Sequence, residues 1–522
     1  MTQTDEKSNT RCQYRRYVDF FSRIWGEQKP LAKLFRTTSC GYLYDTGSNK
    51  IIGCNEIVFN LLENLFSKKI EQAISEFVSE KGMEHFLYAA DTIKNAVETE
   101  NLLLTRKAEQ FDLSDHFQNY EELIDSSLEI LFLEVTENCN LRCDYCVYND
   151  FIPYRRNHGK SNMELSLAKR AIDYLNEHSY KRKNVAINFY GGEPLLQFNL
   201  IKSCIDFAEA NIKNREIDFS ITTNATLISP EIAEFFFRKN LNVFVSIDGP
   251  EDIHDDYRKD ANGVGSYKRS IRGFKYLIDA YGEQADNKIS LSMVYTPPFS
   301  GKRIDRISEL WEEIPWLPKN TSLNITYPSR GSIPVTRASK TVISEDIDLK
   351  QWAFKKFLDK YLEKGDSHPI ADSIMEKKLA QLIQRPIFHE PFDHYYLNGC
   401  CLPGVKRIYV ATDGKFHLCE KIPSNSPTIG DIDSGVDIDI IKRVYIDGYL
   451  KISIPLCSRC WAVRLCTSCY TDVFKNGTLD SETKKKNCIS EKYSQEQLME
   501  QYCTLMELKS GGLNYLYNFE LI

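Results

Sequence analysis

From residue 128 the sequence alternates two periodicities, and that alternation leaves very few folds open. Apolar β-type runs stand at 129–135, 185–190, 217–222, 242–247, 288–295 and 322–327, with helical periodicity between them at 165–178, 197–213, 230–239, 266–280 and 303–314. Such a series reads as six β/α units. The runs are apolar at both alternate positions, as in Ile130-Leu131-Phe132-Leu133 and Val243-Phe244-Val245. Parallel strands with helices on one face and an interior on the other show this pattern. Ser229-Pro230 and Ser266 supply N-cap chemistry where helices must start. Six right-handed crossovers curl into an α/β partial barrel over 128–330, with chemistry expected at the C-terminal ends of its strands.

The flanks read differently. Residues 1–29 are a polar arm or short helix, and 106–127 is an acidic linker with Asp112, Asp115, Glu121, Glu122 and Asp125. Between them, over 30–105, a hairpin signal runs from Gly41 to Cys54 around the turn formers Thr46, Gly47, Ser48 and Asn49. Asn55 then caps a helix with Val58, Leu61, Leu62 and Leu65 on one face, and two further helical stretches follow at 69–81 and 84–104. A helical bridging region is expected over 331–397, and a loop-rich segment ending in a C-terminal helix over 398–522. Lys484-Lys485-Lys486 reads as a solvated turn.

Charge and composition exclude several classes. Lys+Arg 66 minus Asp+Glu 73 gives −7, which lacks the basic footprint that nucleic acid demands. No apolar run reaches the ~18 residues of a membrane span. The polar opening Met1-Thr2-Gln3-Thr4-Asp5-Glu6 is unlike a secretory signal, so a cytoplasmic, reducing setting is expected and disulfides are a poor account of 16 cysteines. Cys40, Cys54 and Cys204 read as small buried hydrophobes. Eleven others fall into two clusters, three at 139–146 and eight at 400–488.

Cys139-x3-Cys143-x2-Cys146 follows the first barrel strand directly. Three thiolates are one short of a closed tetrahedral zinc site or a fully ligated [4Fe–4S] cluster, so a bound metal would keep an open position. Zinc would need a fourth ligand, and the nearest histidine, His158, is twelve residues past Cys146.

This C-x3-C-x-aromatic-C loop, with Tyr145 as the aromatic, resembles the signature of the radical S-adenosylmethionine (SAM) superfamily. Tyr190-Gly191-Gly192-Glu193-Pro194 at the second strand end resembles the family's glycine-rich segment that holds the methionyl amino group. Thr223 and Asn224 end the third strand, and Ser246 and Asp248 the fourth, where the family places polar contacts to the ribose and carboxylate. Arg258, in His254-Asp255-x-x-Arg258, is a candidate carboxylate contact. The resemblance implies one [4Fe–4S] cluster binding SAM, reductive cleavage to a 5′-deoxyadenosyl radical, and hydrogen abstraction.

Cys400-Cys401, Cys419, Cys457-x2-Cys460-x5-Cys466-x2-Cys469 and Cys488 follow in the last segment. Paired C-x2-C units also suit zinc, but a zinc ribbon spaces its pairs by ~12–20 residues. The arrangement resembles the SPASM extension of radical SAM proteins, which holds two auxiliary [4Fe–4S] clusters, although the last close pair is x2 where x3 is usual. By position, Cys457, Cys460, Cys466 and Cys488 would bind the distal cluster, and Cys401, Cys419 and Cys469 the nearer one. The nearer cluster's fourth place is left to Cys400, Cys503 or a substrate thiolate.

The small domain at 30–105 resembles the winged-helix-like recognition element that captures the leader of a ribosomally made precursor peptide by strand addition. The whole resembles a thioether-forming maturase of the sactipeptide or ranthipeptide type, served by an electron donor such as flavodoxin or ferredoxin. The alternatives are formylglycine formation of the anaerobic sulfatase-maturase kind, peptide epimerisation and carbon–carbon crosslinking. No general base is legible.

Overall fold

The computed structural model describes residues 3–111, 119–146, 148, 158–318, 321–328, 349–365, 367–392, 394–397, 399–423 and 425–519. Asp112 and Asp115 of the acidic linker, and the junction expected at 331, lie outside the described residues.

Of the two readings of the N-terminal segment, arm or short helix, the helix forms, and it is long. Gln3–Trp25 is one helix whose Tyr17, Phe21 and Trp25 enter a core of their own with Leu61, Leu65, Ile74, Phe77 and Phe86. Each such fully buried aromatic or leucine contributes about 1.5–3 kcal/mol. The expected hairpin is the second half of a three-stranded antiparallel sheet, β1 (Ala32–Arg36), β2 (Gly41–Asp45) and β3 (Lys50–Cys54), in that order. Helices Glu56–Ser67, Ile70–Lys81 and Met83–Glu100 follow; Asn55 caps the first, its Oδ1 accepting from Val58 N (2.9 Å). Leu43 of β2 packs on these helices. Its neighbour Tyr44 points the other way, meeting Trp461 edge-on at 6.1 Å between centroids.

The β2–β3 turn is buried against the C-terminal segment. Thr46 Oγ1 donates to Trp461 O (2.8 Å) and Arg464 Nε donates to Thr46 O (2.8 Å). The sheet is thereby docked on the stretch between Cys460 and Cys466. The linker is partly structured too, with β4 (Gln110–Phe111) and a helix at Tyr120–Ser126.

The six expected strands form, each within two residues of its expected ends: β5 (Ile130–Thr136), β6 (Asn184–Gly191), β7 (Glu216–Thr223), β8 (Asn242–Ser246), β9 (Ile289–Val294) and β10 (Ser322–Thr326). All pair in parallel and in sequence order. Their two faces differ more than the sequence reading expected. Leu131, Leu133, Ile187, Phe189, Ile221, Val243, Val245 and Leu291 are buried under the helices, while the other face mixes half-buried Phe132, Tyr190 and Phe244 with Asn188, Thr222, Ser246, Ser290 and Ser292. The interior is therefore a half-buried trough of mixed polarity. Ser229 caps its helix through Ile232 N (3.3 Å), but Ser266 makes no side-chain cap.

Helices Leu349–Tyr361 and Pro369–Ile383 lie in the stretch expected to be a helical bridge. β11 (His394–Tyr395) pairs with β4. The last segment is less loop-rich than expected. Its β12 (Arg407–Val410) adds in parallel to the free side of β5, with Arg407 opposite Ile130, and β13 (Lys415–His417), β14 (Gly430–Asp431) and β15 (Gly435–Val436) continue the same sheet antiparallel. The second cysteine region is thus built on an extension of the barrel sheet. The helix Ser481–Leu508 spans 28 residues. Lys484-Lys485-Lys486 lie in its first turns, not in a solvated turn, and Lys484 is fully buried. Cys204 is buried as expected, whereas Cys40 is exposed. Among the described residues no helix is long and apolar enough to cross a membrane.

Candidate functional site

The cysteine loop leaves the C-terminal end of β5, and neighbouring strand ends hold it by backbone. Gly192 N donates to Thr136 O (2.9 Å) and Glu193 N to Asn138 O (2.9 Å). A Cβ on Gly191, at φ +131°, would meet Thr136 O at 2.2 Å, and one on Gly192 would meet Asn138 O at 2.2 Å. The glycine pair therefore lets β6 press against the chain that leads into Cys139. On its other side the loop is strapped by Arg142 N to Lys259 O (2.6 Å) and Asp144 N to Tyr257 O (3.0 Å).

Glu193 is buried and fully engaged, accepting from Thr223 Oγ1 (2.7 Å), Asn224 N (2.8 Å) and Leu195 N (3.1 Å). It ties β6 to β7 rather than pointing an open carboxylate at a ligand. Asn224 Nδ2 donates to Asn140 Oδ1 (2.9 Å), Asn140 Nδ2 donates to Thr226 Oγ1 (2.8 Å), and Thr226 Oγ1 donates to Asn224 Oδ1 (2.6 Å). This closed ring sets the residue next to Cys139, and Asn140 and Thr226 were not singled out from sequence.

At the end of β8, Arg258 Nη1 donates to the Tyr145 hydroxyl (2.6 Å), which donates to Asp248 Oδ2; Arg258 and Asp248 are 3.9 Å apart. Ser246 is half-buried on the trough side of β8. His254 stands behind this group. Asp248 N donates to its Nδ1 (3.5 Å), and its Nε2 meets Ser266 Oγ (2.9 Å), which itself donates to Arg258 O (2.9 Å). The Ser266 hydroxyl proton being used, Nε2 is assigned as the donor and the imidazole is neutral. Burial, then the Arg258 charge, holds its pKa well below 6.5.

Burial pushes the Cys139 and Cys143 thiols up to about 12, and Cys146 upward as well. Cys139, Cys143 and Cys146 lie within one another's field, with Arg258 over all three. Among the described residues no three His, Cys, Asp or Glu side chains close on a point as the ligands of a single metal ion do. Arg258 Nε, buried, has no hydrogen-bond partner among the described residues. Three grouped thiols with one unpartnered guanidinium nitrogen, Arg258 Nε, beside them fit a three-thiolate cluster and a carboxylate-bearing ligand.

The second region sorts into two groups. Cys457 feels Cys460, Cys466 and Cys488, and all four line one partly open cavity of about 420 Å³. Cys419 feels Cys401 and Cys469. Cys400 lies against Cys469 and Tyr449, with Ser468 O 3.8 Å from its sulfur. Gly399, not singled out from sequence, permits this, since a Cβ there would meet Ser468 O at 2.2 Å. Cys503 is elsewhere, buried near Glu507, Arg385 and Tyr42.

Residues 133–310 match the family model described as the radical SAM superfamily. The β/α strands and the cysteine loop at their ends form a radical SAM domain. Over 151 residues the chain is 40% identical to the uncharacterized protein MJ0907 of Methanocaldococcus jannaschii, covering 29% of this chain and about half (49%) of that one. Over 373 residues it is 26% identical to a cysteine-type anaerobic sulfatase-maturating enzyme of Clostridium novyi (strain NT), covering 68% of this chain and 92% of that one. Among solved structures, native anSMEcpe with bound AdoMet superposes with a TM-score of 0.54 over 75% of this chain and 100% of that one. At 19% identity this shows the shared fold alone.

Proposed function

We propose that this chain is a radical SAM enzyme that installs cysteine sulfur-to-carbon thioether crosslinks in a ribosomally made precursor peptide. One observation carries the peptide reading: the N-terminal sheet, with its own core, is docked beside the second cysteine region. Among the described residues its strand β3 pairs on one side only, with β2. An unpaired edge of this kind accepts an extended peptide as an added strand. The leader would lie there while the core of the peptide reaches the trough.

Cys139, Cys143 and Cys146 would hold the cluster that binds SAM, with Arg258 Nε available to the carboxylate. When bound, cluster and SAM supply a hydrogen-abstracting radical. Gly191 and Gly192 fix the loop, Glu193 locks β6 to β7, and the Tyr145–Asp248–Arg258 group orients the guanidinium. Two auxiliary clusters would sit on Cys457, Cys460, Cys466 and Cys488 and on Cys401, Cys419 and Cys469, and Cys400, beside Cys469, would complete the second set. A flavodoxin- or ferredoxin-like donor would supply electrons in the cytoplasm.

The long match to the Clostridium novyi maturating enzyme favours a second reading, oxidation of a Cys or Ser in a protein substrate to formylglycine. One experiment separates them. The enzyme is co-expressed anaerobically with a Cys-rich peptide encoded beside its gene, and the peptide is alkylated and analysed by mass spectrometry. Loss of two hydrogens together with one alkylatable thiol is expected. An unchanged mass and thiol count, with SAM still cleaved, would sink the thioether reading and direct attention to sulfatase-type substrates.

A further inference from the structure

Lys484 presents a charge that the fold itself does not balance. Its side chain is fully buried, although lysine is almost never so unless paired. Nζ donates to the Tyr449 hydroxyl (2.7 Å) and to Ser468 Oγ (3.2 Å), and lies 4.7 Å from the centroid of the Tyr449 ring. Among the described residues it forms no ion pair with a carboxylate. Its backbone position makes matters worse. Lys484 is in the opening turns of the helix Ser481–Leu508, where the macrodipole is positive and a cation is disfavoured.

An ammonium taken out of water without a partner costs several kcal/mol, so a buried lysine implies an anion nearby. Among the described residues lining its cavity, the carboxylate of Glu491 is engaged by Thr467 N (2.8 Å) and Thr467 Oγ1 (3.0 Å), which leaves sulfur as the uncommitted anionic chemistry. Lys484 lines the cavity of about 420 Å³ shared by Cys457, Cys460, Cys466 and Cys488, and stands one helical turn from Cys488. The Tyr449 ring and hydroxyl continue from it to Cys400.

We infer that Lys484 is the buried counter-charge of the iron–sulfur cluster held by Cys457, Cys460, Cys466 and Cys488, beside the half-buried Lys492 that lines the same cavity, and raises that cluster's reduction potential. The inference rests on the auxiliary-cluster reading above. A fixed cation beside the cluster stabilises its reduced, more negative form. Tyr449 and Ser468 aim the ammonium and are positioning residues.

The test uses the full-length, anaerobically reconstituted protein with Lys484→Gln and Lys484→Met. Gln keeps a hydrogen-bond donor for Tyr449 and Ser468 and removes the charge, while Met keeps only the bulk. Redox titration is followed by electron paramagnetic resonance, and Cys457→Ala identifies the distal signal by its loss. At a fixed potential the reduced-to-oxidised ratio of that signal is expected to fall at least tenfold in both variants, 59 mV for one electron. An unchanged ratio in both, with the distal cluster present, would overturn the inference and leave the cluster reading standing. A shift in Met alone would also overturn it, since that makes Lys484 a hydrogen-bonding post. If Cys457→Ala removes neither iron nor any signal, the auxiliary-cluster reading itself falls, and the inference with it.

Discussion

The hydroxyls of Tyr148 and Tyr409 lie 3.1 Å apart. Tyr148 follows the cysteine loop, with its N–H 3.4 Å from Cys146 Sγ, and Tyr409 belongs to β12 of the last segment. Tyr148 also donates to Glu134 Oε1 (3.1 Å), and the Tyr409 ring reaches His417, two residues before Cys419, at 6.3 Å. Hydrogen bonds therefore run from Cys146 through Tyr148 to Tyr409, and an edge-on ring contact extends them to His417 near the nearer auxiliary group. Tyr148→Phe and Tyr409→Phe are each expected to cost about 1 kcal/mol in urea unfolding. Coupled hydroxyls make the double variant lose less than the sum; additivity within ~0.3 kcal/mol would show that the two do not communicate.

Gly191 and Gly192 have a role that substitution isolates. Each Cβ would strike a carbonyl oxygen of the chain entering Cys139, at 2.2 Å, and backbone cannot swing aside as a flexible side chain can. Gly192→Ala is expected to abolish cluster loading at Cys139, Cys143 and Cys146 while the second region still loads. Iron content would then match that of Cys139→Ala. Parent-like loading in Gly192→Ala would refute this account of the glycine pair.

The barrel was legible because its outer face must be covered by helices, and that burial writes apolar runs such as Leu131-x-Leu133 and Val243-x-Val245 into the sequence. The inner face was legible only in part: Phe132 and Phe244 do stand on it, but so do the polar residues Asn188, Thr222, Ser246, Ser290 and Ser292. Its serines and asparagines alternate with those runs, yet short windows such as Ile130-Leu131-Phe132-Leu133 carry apolar residues on both faces. The addition of β12 to β5 could not be read, since Arg407 and Ile130 pair across a long sequence interval without any local signal. Cysteine spacing grouped Cys457, Cys460, Cys466 and Cys488, but Lys484 was misassigned because local sequence does not reveal whether a lysine is buried. Ser266 was misassigned for a related reason: its hydroxyl serves Arg258 and His254 rather than its own helix.

His254 makes the site sensitive to acid. Its folded pKa lies well below the ordinary 6.5. Below pH 6.5 the unfolded chain binds a proton that the folded protein refuses, so stability is full above that pH and falls as pH drops. The limiting slope is about 1.4 kcal/mol per pH unit. Between pH 7.5 and 5.5 the parent is expected to lose about 1 kcal/mol more than His254→Gln, read from urea midpoints. Equal losses would show that this imidazole titrates normally.

Cys469 differs from every other cysteine of the second region whose shift is resolved. Cys400 donates a hydrogen bond to its sulfur and brings its pKa down to about 6, while burial pushes Cys419 and Cys457 up to about 12. The thiolate is the nucleophile, so in metal-free protein Cys469 is ionised at pH 7 and the other two are not. Brief iodoacetamide treatment followed by peptide mapping is expected to label Cys469 ahead of Cys419 and Cys457. Its rate should fall to half near pH 6 as the thiolate is protonated. Cys400→Ala removes the donor, so the inflection should move up toward the ordinary thiol value of 9.0. Labelling that starts at Cys419 or Cys457, or an inflection unmoved by Cys400→Ala, would mean that the Cys400–Cys469 contact does not set the chemistry of this pair.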